Sequence, residues 1–458
     1  MTESVTVRPS PGEPRPYRFP RFERQRVAGG VEVVSAHVAK LPLVSIVALI
    51  DAGAERDPAG REGLAVLTAK LLMEGTAEHD GAVLADAFEQ LGASVDVTAG
   101  WDAALVRLTV LASHVEPAVQ LLSEVLQAPA FRERDVMRLK AERAGELLQM
   151  RADPRQLADE AFERFLYSAA SRYGHPQGGG AAAVGAMTRT DVERFYRGHY
   201  VPERLSIVVV GDLTHERATS MIATAFGGWA GTAVETPQLT DDLAETARRV
   251  RVVAKPDAPQ SELRIGHRGV PRSHPDHFPL VVMNGVLGGF FSSRINLNLR
   301  EEHAYTYGAH SGFDWRRHAG PFVISTAVES GVTADATREV VKELDRIRET
   351  PITAEELSLA TSYLEGVFPI RYETTAAIAD ALAALVTYGF AADYFDTYRP
   401  KIAAVTREDV LRVARAHLHP DQLLVLAVGD AAVVEAPLAR LALGPVVVSG
   451  SDEPDVGA

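Results

Sequence analysis

The sequence predicts an α+β protein built as two tandem homologous domains, each an antiparallel sheet covered by helices. Three observations predict it: an internal repeat, strand and helix patterning that runs twice in the same order, and a weakly patterned stretch between the two runs. The repeat is the most specific. TRTDVERFYRGHYVPERLSIVVVGD, from Thr188, returns without a gap as TREDVLRVARAHLHPDQLLVLAVGD from Thr406, 218 positions on. Asp191 falls on Asp409, Arg194 on Arg412, His199 on His417, Pro202 on Pro420, and Gly211-Asp212 on Gly429-Asp430. A period this long exceeds a solenoid repeat and marks duplicated domains. With 458 residues the chain is also too long for one ordinary core.

In the first unit, Val44–Gly53 reads as a strand, followed by an apolar helix over Gly63–Gly75. Asp80–Gly92 sets Val83, Leu84, Phe88 and Leu91 at helical spacing. Ala104–Leu111 alternates Val106, Leu108 and Val110 with Arg107 and Thr109, the pattern of a half-buried antiparallel strand. Helices follow near Glu116–Leu126, Glu133–Met150 and Pro154–Tyr167, and the loop His175–Gly180 leads into the repeated helix–turn–strand. The second unit repeats the order. Strands are expected near Arg248–Val253 and Ser261–Gly269, a helix running into Arg300, then strands at Tyr305–Phe313 and Phe322–Ala327, and further helices. AGTAVETPQLTDDLAE, from Ala230, is polar and acidic and reads as the linker. The expected domains are therefore 18–229 and 248–445, joined by 230–247.

Hydrophobic residues make up 46% and charged residues 24%, the balance of a globular domain; no apolar run is expected to reach the length of a membrane span, and no membrane partner is expected. The polar, proline-rich start lacks the apolar core of a secretory signal, so a cytoplasmic location is the expectation. Cysteine is absent, which removes disulfides, thiolate metal sites and a cysteine nucleophile. A net charge of −14 argues against nucleic acid, whose phosphates need surplus Lys and Arg. His199 and His417 both precede a Pro-containing turn and read as turn histidines. Gly178–Gly180 lacks the Lys-Ser/Thr of a phosphate loop and reads as a flexible connection. His274 and His277 form the one tempting metal pair, in a polar, Pro-rich segment that reads as a surface loop.

The segment GLAVLTAKLLMEGT, Gly63–Thr76, resembles the metal helix of the pitrilysin/insulinase peptidases, the inverzincins, and the similarity extends from about Arg18 to Leu441. In that family the helix carries His-x-x-Glu-His, two zinc ligands flanking a general base. Those positions fall here on Val66, Ala69 and Lys70, and neither valine nor a protonated lysine ligates zinc, nor does alanine take a proton from water. The family's last ligand, a glutamate in a following helix, corresponds to Glu146. The resemblance thus implies a chain without a metal of its own. Gly92–Thr98 resembles the edge strand on which the family adds extended peptide, except that Asp96 stands where active members tend to have Asn.

The most specific resemblance is LGGFFSSRINLNLREEHAYTYGAHSGF, Leu287–Phe313. It implies that Arg300 and Tyr307 project into a catalytic cleft and donate hydrogen bonds to a peptide carbonyl. Residue types alone also permit Arg300 to cap a helix end and Tyr307 to pack a strand, with Tyr305 facing the other side. Two family roles suit a chain that lacks the zinc ligands and keeps this pair. One is the metal-free subunit of a two-chain zinc peptidase akin to mitochondrial processing peptidases, with zinc and the His-x-x-Glu-His helix on a homologous partner and a peptide as substrate. The other is a scaffold without catalysis, like the respiratory-complex core subunits, which needs neither Arg300 nor Tyr307.

Overall fold

Thr188 and Thr406 open the two repeated helices with the same reciprocal hydrogen bonds, so the strongest sequence signal is a capping box used twice. In the computed structural model, which describes residues 16–27, 29–235 and 239–450, each Thr hydroxyl accepts from the backbone N–H three residues on. Asp191 and Asp409 return the bond to the Thr backbone at 2.9 and 3.1 Å. The Arg189–His199 and Arg407–His417 helices then turn through Pro202 and Pro420 into strands buried along most of their length.

Two six-stranded sheets result. The first contains β1 (Glu23–Arg26), β2 (Glu32–His37), β3 (Leu43–Ile50), β4 (Ser94–Ala99), β5 (Ala104–Leu111) and β6 (Leu205–Gly211), in the order β1-β2-β6-β3-β5-β4. The second contains β7 (Arg249–Ala254), β8 (Gln260–Arg268), β9 (Ala309–Phe313), β10 (Pro321–Glu329), β11 (Leu424–Gly429) and β12 (Val446–Gly450), in the order β12-β7-β11-β8-β10-β9. Dropping β1 and β12 leaves the same five-strand order in both, as duplication requires. Most pairings are antiparallel as expected. The exceptions are β2 with β6, its equivalent β7 with β11, and the edge strand β12 on β7, which run parallel. β5 spans the residues its alternation marked, and its burial alternates along β5 up to its exposed last residue, Leu111.

Strands β3 and β6 do not alternate; they are apolar almost throughout because both faces are covered. Ile46, Ile207 and Val209 face the first unit's own helices, whereas Val47, Val208 and Val210 join a core shared with the second unit. The cover on that second face is the Thr375–Thr387 helix, which packs across β3 and β6. The exchange is mutual. The Pro154–Leu166 helix of the first unit lies on β8 and β11, where Leu157, Phe162 and Leu166 meet Leu424, Leu426 and Val428. Each sheet is therefore completed by a helix from the other half of the chain.

Charged side chains tie the same seam. Arg317 donates to Asp51 at 3.0 Å and also pairs with Glu55, and its backbone N–H donates to Asp102 at 3.0 Å. Arg264 donates to Asp159 at 2.6 Å, and buried Arg316 pairs with Glu163. The linker region crosses the surface without regular secondary structure over most of its described part and bonds to the first unit, Ser168 N–H to Asp242 O at 2.8 Å and Ala244 N–H to Leu166 O at 3.0 Å. Residues 236–238 of that linker lie outside the described residues.

The segment His277–Glu302 is apolar and long enough to cross a membrane by composition, contrary to the reading that no such run exists. It folds as helical turns interrupted at Phe290–Ser293, and Leu280, Met283, Leu287, Ile295 and Leu299 form core.

Candidate functional site

The helix Leu64–Leu71 begins on a buried polar anchor. Asp57 accepts the N–H groups of Gly63 and Ala65, both at 2.7 Å, and Arg172 donates to it at 2.8 Å. Burial raises the Asp57 pKa; Arg172 and the two backbone donors oppose it. Gly63 has φ +98°, and a side chain there would meet Gly178 O at 2.4 Å. Gly179, φ +76°, lies equally close to Glu62. The glycine triplet is thus a close-packed brace, not the flexible connection expected, and Arg143 holds it by donating to Gly178 O and Gly179 O, each at 3.2 Å.

On this helix Ala69 is buried, Val66 half-buried and Lys70 exposed. Lys70 Nζ donates to Glu146 Oε1 at 3.1 Å, and Arg143 Nη1 donates to the other oxygen, Oε2, at 3.1 Å. Burial alone would raise the Glu146 pKa, but the bonds from Lys70 and Arg143 hold it below the usual range. Zinc does not fit here. Val66 and Ala69 offer no donor atom, Lys70 brings a positive charge, and both oxygens of Glu146 are already taken.

The second unit places its groups differently. Gly288 lies where a side chain would strike Ser311 Oγ at 2.4 Å, so the helix end and β9 approach closely only because that residue is glycine. Beyond the extended Phe290, the chain re-forms helical turns at Arg294–Asn296 and a wider π-type turn over Leu297–Glu302, which carries Arg300. The Arg300 guanidinium sits 4.6 Å above the ring of Phe291, itself 70% exposed, and its ion pair is with neighbouring Glu301 at 3.5 Å. The strand expected from Tyr305 begins only at Ala309. Ala304 adopts φ +55°, Tyr305 N–H donates back to Leu299 O at 2.8 Å, and the next residues form a loop. Tyr305 stacks on His303 and packs toward the core. Tyr307 is 94% exposed, so it does not pack a strand. Among the described residues no hydrogen bond or ion pair joins Arg300 to Tyr307, and neither reaches Lys70 or Glu146.

β4 sits at the free edge of the first sheet, pairing with β5 alone, and Asp96 points outward 3.6 Å from Arg107. One histidine corrects an expectation. His277 is 6% exposed at the start of the His277–Asn284 helix, not in a surface loop, and its neighbour is Trp315. His274 instead meets His417, with Asp276 between them, and Asp276 is held by His417 and Arg412 at 2.8 Å each. His199 lies 2.6 Å from Arg204; burial and then that charge push its pKa down to about 4. The His274–His417, Asp276–Arg412 and His277–Trp315 contacts, like the Arg317 network, join residues far apart in sequence and had no local signal.

Comparison with known proteins gives the same outline. Residues 32–177 match the family model described as Insulinase (Peptidase family M16), and residues 186–364 match Peptidase M16 inactive domain. An uncharacterized zinc protease of Streptomyces coelicolor is 22% identical over 397 residues, 86% of each chain. A probable mitochondrial-processing peptidase subunit beta of Schizosaccharomyces pombe is 23% identical over 434 residues, 90% of this chain and 92% of that one. The crystal structure of a peptidase M16 inactive domain from Pseudomonas fluorescens superposes with a TM-score of 0.83 at 25% identity, covering 89% of this chain and 98% of that one. The chain belongs to the insulinase family, peptidase family M16.

Proposed function

We propose that this member of the insulinase family is the metal-free subunit of a two-chain zinc peptidase. Arg300 and Tyr307 bind and polarise a peptide carbonyl in the zinc site of a homologous partner that carries His-x-x-Glu-His. The observation that carries this reading is the exposure of Tyr307, on a loop that follows an Arg platformed on an exposed Phe. A 94% exposed phenol contributes little to its own core and stands free to meet a docked molecule. A guanidinium and a phenol are both donors, suited to a carbonyl oxygen that gains negative charge during hydrolysis. Zinc and the general base then come from the partner, whose metal activates the attacking water. In the first unit the Lys70–Glu146–Arg143 cluster supports the same division, since it fills the family's metal place with a closed ion-pair set.

The test is reconstitution. The chain alone should be inactive, and mixing it with a His-x-x-Glu-His homologue encoded nearby should yield peptide cleavage. Arg300→Ala or Tyr307→Phe should then lower kcat by roughly 10²-fold, the scale of losing one such donor. Unchanged rates in both variants would leave the scaffold reading, which uses neither residue.

A further inference from the structure

The second unit holds a cavity of about 380 Å³ whose lining includes Phe290 but neither Arg300 nor Tyr307, so the carbonyl-binding role does not use it. Phe290 and Phe291 divide the two places. Phe290 lines the cavity and packs on Tyr363 at 4.5 Å, whereas Phe291 turns outward beneath Arg300. The helix at its base, His277–Asn284, packs on the Arg407–His417 and Ala354–Arg371 helices. In the first unit the Leu64–Leu71 helix packs on the equivalent pair, Arg189–His199 and Glu133–Ala152. The cavity thus lies against the helix that corresponds in packing to Leu64–Leu71 of the first unit.

Its walls are aromatic, Phe313, Trp315 and Tyr394 among them, and Arg272, His277, Asn284 and Arg371 also line it. Arg272 lies 4.3 Å from the ring centre of Phe390 and donates to the Tyr394 hydroxyl at 2.5 Å. Arg371 is exposed at the end of its helix. Neither guanidinium has a carboxylate partner among the described residues. His277 is buried, and its Nδ1 has no hydrogen-bond partner among the described residues. Burial, then the charge of Arg272, push its pKa down to about 3, so the imidazole is neutral and can donate or accept. An unpaired buried nitrogen is costly unless a ligand completes it.

Guanidiniums without carboxylate partners around an aromatic-walled cavity fit an aromatic group that bears a carboxylate. We propose that this cavity is a subsite for the free C-terminus of a peptide ending in an aromatic residue, with the ring among the aromatic walls and the carboxylate on Arg371 and Arg272. The inference rests on reading the chain as a peptide-binding subunit. It adds the substrate class: unfolded peptides gripped by their last residue, beside the Phe290-Phe291 pair that leads to Arg300.

The test is calorimetric titration of the purified full chain, without partner or metal, using acetyl-Ala-Ala-Ala-Phe as free acid and as amide. The acid should bind, and amidation should weaken it by about tenfold or more, the loss expected for a charge-assisted contact. Arg371→Gln should weaken the acid similarly while leaving Tm unchanged, and Arg371→Lys should recover part of the loss. Equal binding of acid and amide, or no binding of the acid at about 1 mM, overturns the proposal. N-acetylphenylalanine binding as tightly as the tetrapeptide also overturns it, because the site would then take free aromatic acids. None of these results touches the Arg300 and Tyr307 reading, which stands or falls on reconstituted cleavage.

Discussion

The first and second units share a strand order and a repeated helix–turn–strand, yet they treat their chemical groups in opposite ways. In the first, Lys70, Arg143 and Glu146 satisfy one another and leave no donor set for a metal. In the second, Arg300 and Tyr307 stand outward with little internal use, beside an open cavity whose guanidiniums face no carboxylate among the described residues. Under the proposed function the contrast has a physical reason, since groups that serve another molecule must be left unsatisfied by their own unit. The difference is set on a shared five-strand order, β2-β6-β3-β5-β4 in one unit and β7-β11-β8-β10-β9 in the other.

The largest expected effect tests whether the units are separate bodies at all. Phe162, 2% exposed, belongs to the first unit but packs on the second sheet, and Leu382, fully buried, does the reverse. Phe162→Ala should destabilise the protein by about 3–5 kcal/mol and Leu382→Ala by about 2–5 kcal/mol. Hydrogen exchange should quicken across both sheets in each variant. Quickening confined to the mutated residue's own unit would break the picture of exchanged helices.

A smaller effect should separate the units by acid. His267 and His277 of the second unit have pKa values pushed down to about 4 and about 3, in both cases chiefly by burial, against about 4 for His199 in the first. A depressed folded pKa means the unfolded chain binds more protons, so this stability is full above about pH 6.5 and falls as pH drops toward the folded values. Every tenfold difference in proton affinity between the folded and unfolded chain is worth about 1.4 kcal/mol. Global stability should therefore fall between about pH 6.5 and pH 5, and His277→Leu should flatten that dependence more than His199→Leu does. Equal flattening by the two variants would remove the asymmetry.

The smallest effects lie at the surface pairs. Lys70 and Glu146 are 42% and 39% exposed, so Lys70→Met should change stability by less than about 1 kcal/mol. Arg300→Ala and Tyr307→Phe should stay within about 0.5 kcal/mol by denaturant unfolding, so that any loss of reconstituted rate reports chemistry and not folding. A large stability loss at Arg300 would instead favour the helix-end role.

What the sequence made legible was local. Alternation in Ala104–Leu111 marked β5 to the residue, and the ungapped repeat marked both helix–turn–strand units. The start of β9 was misjudged because Tyr305-Thr-Tyr has strand-forming residues, while Ala304 at positive φ and the Tyr305–Leu299 hydrogen bond curl the chain first. The Gly178–Gly180 brace was hidden because its partner, Gly63, lies over a hundred residues away. Nothing in an Ala- and Leu-rich helix such as Thr375–Thr387 states which sheet it will cover, and that choice is made by long-range packing.

The traded helices also bear on how such a chain arose. A half-length ancestor with this topology would have left one face of its sheet bare, and two copies would have covered each other by swapping that helix across a twofold axis. Fusion of the two genes would then have fixed the swap inside one polypeptide. From that moment the halves were free to diverge, because neither had to remain its own mate.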